Sequence, residues 1–130
     1  MGTRLRRARR LTRLVRSQPL PRMERLYIAV RSDLPPGLQM AQACHAAREF
    51  AARYPALDAA WHQGHNNLVV LWLRNEQELD EWSGRLVAAD IPLAEFREPD
   101  LDGQRTAIAF SGAAKRMVRR LPKAFPCLDH

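Results

Sequence analysis

The sequence predicts a small mixed α/β fold: a four-stranded sheet of three parallel strands plus one antiparallel strand, with helices on both faces. Three observations lead to this fold class. β-rich segments alternate along the chain with segments of helical periodicity, and Pro or Gly separates them. Two connections contain helices and are long enough for right-handed crossovers, which makes the first three strands parallel. The last connection, residues 99–104, is too short for a crossover, so the fourth strand is antiparallel to the third.

The elements follow in order from local signals. Strands are predicted at 26–31, 68–73, 91–97 and 106–110. A long helix over 37–54 follows a Pro-Pro-Gly turn and ends before Pro55, because the residue before Pro is disfavoured in the α region. Further helices are predicted at 56–63, after the cap residue Asn75, and at 112–121.

The long helix is predicted to bury one stripe of side chains and to expose the opposite one. The stripe expected inside comprises Met40, Cys44, Ala47, Ala51 and Tyr54. The stripe expected outside comprises Leu38, Gln42, His45 and Glu49. In the helix after Asn75, the predicted core face is Leu79, Trp82, Leu86 and Val87.

The charge is unevenly distributed. The net charge is +7, and residues 1–22 contain eight Arg and no acidic residue. The remaining 13 basic residues face 14 acidic ones, so residues 23–130 carry about −1. We therefore expect any basic site on the folded part to be a local patch.

This distribution predicts a domain over 23–126, an Arg-rich and disordered arm over 1–22, and a tail over 127–130. The arm is either an RNA-binding, membrane-contacting or targeting segment, or an extension upstream of a start at Met23. The longest apolar run spans six residues, which is too short to cross a membrane. The two cysteines make no disulfide framework, so we expect a cytoplasmic protein.

The predicted topology brings polar residues to one edge of the sheet. Ligands of open α/β sheets bind outside the carboxyl ends of the strands. Arg31 and Glu98 end strands at that edge, Asp100 follows in the loop, and Thr106 begins the returning strand. Gln42 and His45 lie one to two helical turns away.

The segment Gly37 to Ala46, GLQMAQACHA, resembles the helix motif of the second, archaeal- and eukaryotic-type family of peptidyl-tRNA hydrolases, in a bacterial-like variant. The similarity continues in the preceding VRSDL at 30–34 and in FREPD at 96–100, and then in the strand that contains Thr106. It covers roughly residues 24–125. The resemblance implies a metal-independent, cofactor-free enzyme that hydrolyses the ester of peptidyl-tRNA and recycles tRNA.

The resemblance also implies which residues act. Gln42 matches the family's helix Gln, Thr106 matches its Thr, and Glu98 or Asp100 takes the acidic place. Leu38 stands where the family has Lys. Either another cation, Arg31 or Arg105, replaces the missing charge, or catalysis is weakened or lost.

The residue chemistry agrees with this assignment and leaves alternatives open. A carboxylate can orient or deprotonate water, amide and hydroxyl donors can hold an oxyanion, and His45 can orient a carboxylate or contact RNA. In the alternative interpretation, Gln42 is a surface amide and Thr106 is only a strand-forming residue. The acidic loop with Glu98 and Asp100 would then serve solubility, and His45 would be a structural histidine. An alternative metal site would use His45, His62 and His65, but we do not expect the protein to bind a metal ion.

The predicted partner is tRNA. Candidate RNA-binding residues are Arg31, Arg105, Lys115, Arg116, Arg119 and Arg120. The last four fall within two turns of the final predicted helix, where cations also stabilise a helix end without any ligand. A homodimer is possible, no membrane association is expected, and the alternative function is a non-catalytic tRNA- or protein-binding module.

Overall fold

A computed structural model describes residues 23–126, so the predicted arm over 1–22 and tail over 127–130 lie outside the described residues. The strands are β1 (Arg25–Arg31), β2 (Asn67–Leu73), β3 (Leu93–Glu98) and β4 (Gln104–Ser111). The helices are α1 (Pro36–Arg53), α2 (Pro55–Gln63), α3 (Glu76–Ala88) and α4 (Lys115–Val118). Short 3₁₀ turns at Pro99–Leu101 and Gly112–Ala114 precede β4 and α4.

The strands form a mixed four-stranded sheet in the order β2-β1-β4-β3. The prediction of three parallel strands is wrong, because the sheet contains one parallel pair, β1 with β2. β4 inserts between β1 and β3 and pairs antiparallel with both. Connection lengths indicate strand direction but not which strands become neighbours. Because β4 opposes both neighbours, β3 still points in the direction of β1, and their carboxyl ends share one edge.

Helices cover both faces of the sheet, as predicted. On the face that we call the α1 face, Leu26, Ile28 and Val30 pack with Ala46 and Phe50. On the opposite face, the α3 face, Tyr27, Ala29 and Leu71 pack with Leu79 and Leu86. Successive β1 residues alternate between the two clusters, as the period of two in a strand requires.

α1 turns a different side to the sheet from the one predicted. Its buried residues are Gln39, Gln42, Ala46 and Phe50. Met40 is 63% exposed, and Cys44 is also exposed. The helix is rich in Ala, so its two sides differ little in hydrophobicity, and the observed orientation fully buries Phe50. The two buried amides are accommodated because both find hydrogen-bond partners.

The later helices agree with the sequence in part. Asn75 caps α3 as predicted, and its side chain accepts a 3.0 Å hydrogen bond from the backbone N–H of Glu78. Val87 is 60% exposed rather than part of the core, and Ser83 is buried on that helix instead. The final helix is only Lys115–Val118, shorter than predicted. None of the helices in 23–126 is long and apolar enough to cross a membrane.

Candidate active site

Three predicted site residues form a chain of hydrogen bonds between α1 and the ends of β3 and β4. The hydroxyl of Thr106 donates to Oε1 of Gln42 at 2.5 Å. Nε2 of Gln42 donates to Oε2 of Glu98 at 2.8 Å. Because its oxygen is occupied by the hydroxyl, the Gln42 amide turns its N–H group toward Glu98. These two hydrogen bonds therefore hold the Glu98 carboxylate from the buried side of the site.

A β-bulge brings Thr106 into this chain. Phe96 pairs with Ala107 and Arg97 pairs with Arg105, which leaves Thr106 without a partner on β3. With regular alternation Thr106 would face the same side as Ile108, which belongs to the α3-face cluster. The extra residue redirects the side chain to the α1 face, where it meets Gln42.

Thr106, Gln42 and Glu98 differ in their exposure to solvent. Thr106 is 0% exposed and Gln42 is 1% exposed, whereas Glu98 is partly exposed. Gln42 is therefore not the surface amide that the sequence left as an alternative. Of these three side chains, only the carboxylate is available to a substrate.

The same contacts keep Glu98 ionised. The hydrogen bond from Gln42 is the largest cause of a lowered pKa for the Glu98 carboxyl, and a hydrogen bond from the backbone N–H of Asp100 adds to it. That N–H lies 3.2 Å from Oε1 of Glu98, so Glu98 also caps the 3₁₀ turn after β3. The side chain of Asp100 is exposed. Hydrogen bonds to a charged carboxylate favour its ionised form.

His45 lies one turn of α1 after Gln42, on the exposed side of the site. Its ring stacks on Phe96, with 4.4 Å between ring centroids. His45 is also a minor cause of the lowered pKa of the Glu98 carboxyl. The stacking contact fixes the ring at the sheet edge, where its nitrogens can reach solvent.

Arg31 and Arg105 lie apart from this chain. Arg31 makes two 2.9 Å hydrogen bonds to the carboxylate of Asp33 and a third to Oε1 of Gln104. Asp33 and its hydrogen bond are the main cause of a raised pKa for the Arg31 guanidinium. Arg105 forms ion pairs with Glu95 and, at 2.7 Å, with Asp80 of α3. This placement argues against either Arg supplying a cation beside Gln42.

Gln39 is a site-supporting residue that the sequence analysis missed. Its Nε2 donates to the carbonyl of Leu34 at 2.6 Å, and its Oε1 accepts a 2.7 Å hydrogen bond from the indole of Trp72. The amide thereby ties the β1–α1 loop to β2. The sequence contained an indication of this role, because the spacing of residues 39, 42, 46 and 50 places them on one side of a helix.

The remaining predicted residues lie elsewhere. Lys115, Arg116 and Arg119 line a groove on the α3 face, and Arg120 is exposed beside them. Within residues 23–126, no group of three His, Cys, Asp or Glu side chains is placed to hold a metal ion. His45 is therefore not grouped with His62 and His65 in the way that the alternative metal site requires.

The fold and site define a mixed α/β protein with a carboxylate at its sheet edge, held by buried amide and hydroxyl groups. A comparison with known families makes this specific. The family model described as peptidyl-tRNA hydrolase PTH2 matches residues 25–128, most of the chain. The chain belongs to this family and is a hydrolase that acts on peptidyl-tRNA. No curated protein matches the chain.

Proposed function

We propose that Glu98 is the catalytic carboxylate in the hydrolysis of peptidyl-tRNA, and that Gln42 and Thr106 are positioning residues behind it. The supporting observation is their order of exposure, in which two buried side chains lead to one that reaches solvent. A buried residue cannot contact an ester bound at the surface without moving. The catalytic roles predicted for Gln42 and Thr106 are therefore proposed here as indirect.

In the proposed step, water attacks the carbonyl carbon of the ester that joins the peptide to the terminal ribose. The bond from that carbon to the ribose oxygen breaks, the peptide leaves as a carboxylic acid that ionises, and the ribose oxygen gains a proton. Glu98 accepts a hydrogen bond from the water. A carboxylate with a lowered pKa is a weak base, so its role is mainly to orient and polarise the water.

His45 is proposed to act with Glu98 at the same edge. An imidazole can exchange a proton near neutral pH, which a carboxylate of lowered pKa does poorly. Its stacking on Phe96 holds it near Glu98 while leaving it exposed. We assign it the proton that the ribose oxygen needs when the ester bond breaks.

The test is release of a labelled N-acetyl amino acid from N-acetyl-aminoacyl-tRNA. We expect the full chain to release it, and to leave aminoacyl-tRNA with a free amino group largely intact. Metal independence is part of the proposal, so release should be unchanged after EDTA treatment. Tight tRNA binding without release would instead support the non-catalytic module, which no contact within 23–126 favours.

Several sequence predictions remain predictions. They are the division into an arm over 1–22, a domain over 23–126 and a tail over 127–130, the cytoplasmic location, the bacterial-like variant and the homodimer. Phosphate contacts of Arg31, Arg105 and Arg120 are also predictions. Sedimentation velocity of the full chain would test the dimer.

A further inference from the structure

A groove with basic walls lies on the α3 face, on the other side of the sheet from Glu98. It has a volume of about 590 Å³ and is formed by β1, β2, α4 and the segment after α4. Five cationic side chains line it: Arg25, Lys115, Arg116, Arg119 and Lys123. The remaining lining residues are Tyr27, Val69, Leu71, Val118 and Leu121, so no acidic residue contributes to the walls.

The charge of this groove is uncompensated within the described part of the chain. Arg31, Arg74, Arg97 and Arg105 each pair with a carboxylate within residues 23–126. Among those same residues, no carboxylate lies within 4.0 Å of any of the five groove cations. Since residues 23–130 carry about −1 in total, the groove is a local concentration of positive charge. Such a concentration attracts anions.

The groove has cationic walls and an apolar floor, in which Val69 and Leu121 are half-buried and the other apolar residues are almost fully buried. Tyr27, Leu71 and Val118 at its floor are 4%, 3% and 2% exposed, because they belong to the α3-face core. A docking site for an apolar peptide would need exposed hydrophobic area. The groove therefore suits a strongly charged polyanion that contacts the cations along its walls.

Its position excludes direct contact with the reacting ester. Arg25 and Arg31 lie at opposite ends of β1, about 20 Å apart at roughly 3.3 Å per residue. Glu98 lies at the Arg31 end and on the other face. An anion that occupies both places must extend over more than this distance, as a folded RNA does.

We propose that this groove binds the phosphate backbone of the tRNA body while the acylated 3′ end lies at Glu98. The inference rests on the proposed function, because it assigns a second contact to the same substrate. The groove supplies affinity through charge and makes no contact with the reacting atoms. It accounts for three of the predicted RNA-binding residues and adds Lys123, which follows them closely in the chain, and Arg25, which is distant in sequence.

The experiment compares two substrates that share the ester but differ in RNA length. One is N-acetyl-aminoacyl-tRNA, and the other is the same acyl group on a CCA trinucleotide. We expect Lys115→Gln and Arg119→Gln to raise KM for the whole tRNA roughly three- to tenfold, with kcat unchanged. The slope of log affinity against log salt for deacylated tRNA should fall by about 0.7–0.9 per lost contact. Hydrolysis of the trinucleotide substrate should not change.

The matched control is Arg85→Gln, which removes the same charge from an exposed residue of α3 that does not line the groove. An equal effect of Arg85→Gln would overturn the proposal, since diffuse charge would then explain the binding. An unchanged KM in both groove variants would overturn it as well, as would equal losses on both substrates. If the wild type released no acyl group, the proposed function would fail, and deacylated-tRNA binding would still decide the groove.

Discussion

Gln42 and Glu98 are separated by 56 residues in the chain, yet the amide of one donates a 2.8 Å hydrogen bond to the carboxylate of the other. This contact joins α1 to the end of β3. The amide is oriented by Thr106, and Thr106 faces α1 because of the bulge in β4. The position of the carboxylate therefore depends on three elements that pack independently of any substrate.

The first prediction concerns the choice between the two acidic residues. We expect Glu98→Gln to lower kcat by roughly 10²- to 10⁴-fold, because it removes the charge that orients the attacking water. Asp100→Asn should cost less than tenfold, since the backbone N–H that caps Glu98 remains in place. Turnover on N-acetyl-aminoacyl-tRNA and thermal melting are to be measured together. Full turnover in Glu98→Gln would remove this residue from the mechanism.

The second prediction concerns Thr106. Thr106→Val keeps the shape but leaves Oε1 of the buried Gln42 without its donor, which should destabilise the fold by about 1–3 kcal/mol. Turnover should fall too, because the amide is no longer held toward Glu98. Thr106→Ser retains the hydroxyl and should restore most of the turnover. If Ser and Val behave alike, the hydroxyl is not the feature that matters.

The third prediction concerns pH. The pKa of Glu98 is lowered in the fold, so its contribution to stability is fully present above the unfolded-state pKa and is lost as pH falls through the folded-state pKa. Gln42→Met removes the main donor, and the pKa of Glu98 should rise. The acid limb of the kcat/KM profile should then move to higher pH. A profile that keeps its acid limb in place would show that Glu98 does not set it.

The fourth prediction is one of stability alone and uses a matched pair of serines. The hydroxyl of Ser83 is buried and has no hydrogen-bond partner among the described residues. Ser83→Ala should therefore leave stability unchanged or raise the melting temperature, because a desolvated polar group is removed. Ser111 differs, since its hydroxyl accepts a 3.2 Å hydrogen bond from the backbone N–H of Ala113. Ser111→Ala should lower stability by about 0.5–1.5 kcal/mol.

The sequence predicted the number of strands and the approach of Gln42, Glu98 and Thr106 at one edge, because these follow from periodicity and connection length. The parallel pairing of the third strand was wrong, since β4 lies between β1 and β3 and pairs with both. The prediction of the buried side of α1 was also wrong. Gln42 is polar, and the free energy of burying it depends on hydrogen-bond partners that are distant in sequence. The bulge at Thr106 involves one unpaired residue, and no local pattern indicates it.

The last prediction concerns Leu38, which stands where the family resemblance places Lys. Leu38 is half-buried in the first turn of α1, one turn before Gln42. A Lys there can bury its methylene stem and extend its ammonium group toward solvent. The charge would lie near Glu98, where an oxyanion develops in the proposed step. We expect Leu38→Lys to raise kcat.

The two Arg residues provide the comparison. Arg31 and Arg105 are already paired with Asp33, Glu95 and Asp80. Replacing either with Gln breaks an ion pair to a partly exposed carboxylate, so we expect a loss of about 1 kcal/mol in stability and little change in kcat of the folded enzyme. In a double-mutant cycle, Leu38→Lys should act additively with Arg105→Gln, because the two side chains lie on opposite faces of the sheet. Coupling between them, or a large drop in kcat from either Arg variant alone, would instead show that an Arg performs the role of the missing Lys.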